Sequence, residues 1–80
     1  MNVLLIRTTK AGEVLRSLTP YSSYDTALSN FYDALRKAVA DSNIVRAVAE
    51  LINDEGRILK CERWAEQVVT NTEEIEGVNS

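Results

Sequence analysis

Few side chains in this sequence could do covalent or acid–base chemistry. Histidine is absent and Cys61 is the only cysteine. The usual general base at neutral pH is therefore missing, and with it every serine–histidine or cysteine–histidine pair. Cys61 alternates with Leu59 in a strand-like run. That phase points the thiol toward a core, where free cysteine behaves as a small inert apolar group. Asp54 and Glu55 are adjacent but sit beside Gly56, and solvated turn residues explain them better than paired catalytic carboxylates. Glu73, Glu74 and Glu76 could hold a divalent cation weakly, yet an acidic run of this kind reads first as a solvated segment. One cysteine without histidine argues against structural zinc. The three glycines, Gly12, Gly56 and Gly77, form neither a dinucleotide fingerprint nor a phosphate-cradling loop. The sequence predicts no enzyme and no cofactor.

What remains is recognition chemistry. Arg7, Arg16 and Arg46 fall on separate strand-like segments, each among apolar neighbours. If they converged, their guanidinium forks would suit a small anionic ligand or phosphate, as in a nucleotide-sequestering oligomer. The competing reading pairs them across strands with Glu13, Glu50 and Glu62. Tyr21 and Trp64 are candidate interface anchors as readily as edge-of-core residues.

The elements that would position these groups follow from pattern. Val3–Lys10 and Glu13–Thr19 read as strands about the Ala11-Gly12 turn, closed by Pro20, which cannot donate to a sheet ladder. Ser22 or Ser23 can cap a helix. In that helix Tyr24, Ala27, Leu28, Phe31, Leu35, Ala38 and Val39 share one face, and Asp41-Ser42-Asn43 ends it. Ile44–Ile52 and Arg57–Trp64 form a second hairpin about Asn53-Asp54-Glu55-Gly56, with Gly56 suited to a left-handed position. The predicted fold is α+β: a four-stranded, mainly antiparallel sheet in β-β-α-β-β order, with one long helix on one face. Strand order is open.

Eighty residues support one domain, here residues 1–65, followed by an acidic tail over residues 66–80. The tail contributes −4 and the body, with nine basic and eight acidic residues, +1. Net acidity argues against non-specific nucleic-acid binding. No segment approaches a membrane span. Met1–Lys10 lacks the order of a signal peptide, and a lone cysteine suits a reducing compartment, so a cytoplasmic location is expected.

One helix cannot cover both faces of a four-stranded sheet. The uncovered face would show Val48, Ile52, Ile58 and Trp64 among charges. Either a protein partner or second copy covers them, a homodimer being the expectation, or the tail does so through Val68, Val69, Ile75 and Val78.

The second hairpin, Asp54, Gly56, Ile58, Lys60, Glu62 and Trp64 after a helix bearing Tyr24 and Phe31-Tyr32, resembles the ending of short phage and mobile-element proteins of Firmicutes. The likeness spans Tyr24 to Trp64 and carries no functional residue with it. It implies an accessory gene product that acts by binding, for instance by blocking a host defence component.

Overall fold

The computed structural model describes residues 1–66; the expectation that the acidic tail covers the sheet lies outside the described residues. The chain runs β1 (Asn2–Thr9), β2 (Val14–Pro20), α1 (Tyr24–Ala40), β3 (Ile44–Ile52) and β4 (Ile58–Ala65). The four strands make one sheet in the order β2-β1-β3-β4, and every neighbouring pair is antiparallel. The sequence-based β-β-α-β-β architecture is the observed one.

Each hairpin is set by its glycine. Gly12 and Gly56 adopt φ of 88° and 86°, a region closed to most L-residues by the Cβ. In the first turn the Gly12 amide donates to the Thr9 carbonyl at 2.9 Å. In the second, the Asn53 side-chain oxygen accepts from the amides of Glu55 (3.0 Å) and Arg57 (2.9 Å). Pro20 ends β2 on the outside of the sheet, where a missing donor breaks no ladder.

Ser23, rather than Ser22, caps α1: its hydroxyl accepts from the Thr26 amide at 3.2 Å. The stop is an Asx turn in which the Asp41 carboxylate accepts from the Asn43 amide at 2.9 Å. Helix α1 lies over the two central strands, more extensively on β3 than on β1. Ala27, Phe31 and Ala38 form its buried stripe. Phe31, Ala27, Val3, Leu5, Ala49 and Leu51 make the main core, and Ala38, Ile44 and Ala47 a second cluster. Two residues expected on the buried face stay exposed. Val39 lies about 80° round the helix from Phe31 at 100° per residue, and Tyr24 sits in the first turn.

A bulge decides which face of the sheet the β4 side chains use. Leu51 pairs with Lys60, but Ile52 pairs with Ile58, so Leu59 is the extra residue. Beyond it the alternation inverts relative to the expected phase. Lys60, Glu62 and Trp64 pair with the inward-facing Leu51, Ala49 and Ala47 and lie on the helix side. Trp64 packs against the Ala38–Ile44–Ala47 cluster, which corrects its expected place on the open face. Cys61 is exposed, not buried, and shares the open face with Arg63, Ile58 and Ala65.

Candidate functional site

The face of the sheet away from α1 follows from the register. One row across it reads Arg16, Ile6, Val48, Arg63; the next reads Leu18, Leu4, Glu50, Cys61. Val14, Thr8, Arg46 and Ala65 form the row on one side, and Pro20, Asn2, Ile52 and Ile58 the row on the other. Its centre is aliphatic and half-buried: Leu4, Ile6, Val48 and Ile52. Its margins are open, with Leu18 at 61%, Ile58 at 51% and Val14 at 44% exposure. Among the described residues nothing covers it, and an apolar area of this kind left open is unusual on a monomer's surface.

The charges on this face are unbalanced. Arg16, Arg46 and Arg63 stand against Glu50 alone, although the whole chain carries −3. Among the described residues none of these arginines forms an ion pair, and the expected cross-strand pairs with Glu13, Glu50 and Glu62 are not made. The reason is register. The residues directly opposite Glu50 are Leu4 and Cys61, and the Cys61 thiol lies 3.9 Å from its carboxylate.

Of the side chains singled out from sequence, Val48, Ile52, Ile58, Arg16 and Arg46 come together on this face. Arg7 does not join them: it pairs with Leu15 and Ala47 on the helix side, so the three arginines do not converge. Tyr21 is half-buried beside the main core, and its amide donates to the Met1 carbonyl at 2.7 Å. It lines, with Arg7, a groove of about 330 Å³ along one flank of α1. Trp64 packs against the second core cluster. Sequence reasoning missed Arg63, Leu4, Ile6, Leu18 and Val14 as members of the open face. Continuous apolar character over Val3–Ile6 was the available signal, because a central strand is buried on both sides.

The turn carboxylates have ordinary duties. Asp54 accepts from the Met1 ammonium at 2.8 Å in an exposed contact. On the helix, Arg36 (2.6 Å) and Lys37 (3.0 Å) both hold Asp33, and their hydrogen bonds lower its pKa below the ordinary carboxylate value. Lys60 stands 5.9 Å from the centre of the Tyr32 ring. No group of three potential metal ligands occurs among the described residues. No helix among them is long and apolar enough to cross a membrane.

Compared with known proteins, the chain matches no family model, no curated protein and no solved structure.

Proposed function

We propose that this chain is a non-enzymatic binding module whose open sheet face docks on an acidic, partly apolar surface of another protein. The observation that carries the reading is the face itself: an aliphatic centre of Leu4, Ile6, Val48 and Ile52, with three arginines against one glutamate. Burying the centre supplies the drive for association, and the arginines select for negative charge. Charge also discriminates among occupants. Two copies placed face to face would set arginines against arginines, so an unlike, acidic partner fits better than the homodimer expected from composition. Nucleic acid fits less well. Sheets that bind single strands present aromatic platforms for stacking, and the aromatic residue of these four strands, Trp64, lies on the helix side. The hairpin's likeness to phage and mobile-element proteins is compatible with a host defence component as the partner, and a cytoplasmic location with both.

The test uses the full chain as bait in extract of its host, with Val48→Asp and Arg63→Glu as open-face variants and Arg36→Ala as a control. All are first checked for folding by circular dichroism. A partner protein with an acidic surface is expected to bind the parent and the control, to be lost with both face variants, and to weaken as salt rises. A partner set indifferent to the face variants overturns the reading. So does a dimer in native mass spectrometry that Val48→Asp dissociates, since the face would then belong to a second copy.

A further inference from the structure

A second feature, on the opposite side of the sheet, is independent of the docking face. Helix α1 covers the central strands and leaves a groove of about 330 Å³ along one flank, floored by Leu5 and Arg7 of β1 and walled by Ala34, Lys37 and Ala38. Tyr21 and Asn30 also reach it. Arg7 is anomalous there. Its Nε is buried without a hydrogen-bond partner, and it makes no ion pair among the described residues. A buried guanidinium donor left unpaired is costly, and such groups normally have a partner.

Two carboxylates line the same groove, but neither serves Arg7. Asp33 is engaged by Arg36 and Lys37 at 2.6 and 3.0 Å. Asp41 accepts from the Asn43 amide in the turn that ends the helix. Each acidic group is thus committed to its own helix or turn. We infer that the groove binds a small molecule through an oxyanion, carboxylate or phosphate, held by the Arg7 guanidinium. Guanidinium presents a planar fork of donors that matches both oxyanions, and the volume suits a compact metabolite rather than a polymer. Leu5, Ala34 and Ala38 would pack on the apolar part of such a ligand.

The experiment is a ¹⁵N NMR titration of the full chain, reading the Arg7 Nε–Hε resonance together with the Tyr21 and Asn30 amides. Inorganic phosphate, a nucleoside monophosphate and citrate are added in turn. A saturable shift of the Arg7 signal is expected with at least one probe. The comparison between phosphate probes and citrate distinguishes the two ligand sources. Arg7→Met should abolish the response at Tyr21 and Asn30. Arg7→Lys, which keeps the charge and loses the fork, should weaken it at least tenfold, and it carries the test if the methionine variant does not fold. Arg57→Ala, exposed in the second turn and away from the groove, should bind as the parent does. No saturable shift with any probe overturns the inference. An unchanged response in Arg7→Lys overturns it too.

Discussion

Trp64→Ala tests the bulge at Leu59, on which the division of the sheet into a covered and an open face depends. If Trp64 lies on the helix side, its ring fills space beside Ala38, Ile44 and Ala47, and removal leaves a partial cavity there. A fully buried tryptophan truncated to alanine costs about 3–5 kcal/mol. Trp64 is half-buried at the margin of the core, where neighbours can partly collapse, so about 2–4 kcal/mol is expected. A domain of this size has only about 3–10 kcal/mol in all, so the denaturant midpoint should fall by a large fraction. Urea unfolding followed by far-ultraviolet circular dichroism reads this without a tryptophan signal, and the slope of the transition should not change. Ile58→Ser is the paired measurement. Ile58 is large and apolar but stands on the open face at 51% exposure, so it should cost less than about 1 kcal/mol. Equal losses in the two variants, or a loss below about 1 kcal/mol for Trp64→Ala, would refute the placement.

Two further outcomes follow from the same geometry. Gly56→Ala should destabilise by about 1 kcal/mol, entirely through the backbone, because an added Cβ meets nothing within 4 Å while φ is +86°; a neutral result in thermal unfolding would mean that the turn can change type at no cost. Cys61 should react with a thiol reagent in the native state at a rate close to that of the unfolded chain, being exposed on the open face; strong protection would return it to the core and move the bulge.

The elements were legible in the sequence because their signals are local. Gly12 and Gly56 mark positive-φ turns, Ser23 and Asp41 bracket the helix, and the Ala27–Phe31–Ala38 stripe follows helical period. Strand order was not legible. The pairing of β1 with β3 joins Leu5 to Ala49, and contacts at that separation leave no local pattern. The open face was half legible. Val48, Ile52 and Ile58 were placed on it correctly, whereas Trp64 and Cys61 were exchanged between faces by one extra residue. Arg57–Trp64 alternates acceptably in either phase, because Ile58 and Leu59 are both apolar and charged residues fall on both sides. A one-residue slip therefore reverses every later side chain without changing the pattern's plausibility. The Arg7 groove had no sequence signal, since it depends on how far α1 extends across the sheet.

The strand order also sets how the chain can fold. Each hairpin closes through a turn of a few residues, but β1 meets β3 only when the entire β2–α1 segment has been looped out. The middle ladder of the sheet is thus the last to become affordable in loop entropy, and Phe31, which touches the packing of both central strands, sits where the two halves are clamped. Folding should be limited by the closure that brings β1 onto β3. Lengthening the Tyr21–Ser23 connection should slow folding modestly and leave the unfolding rate almost untouched.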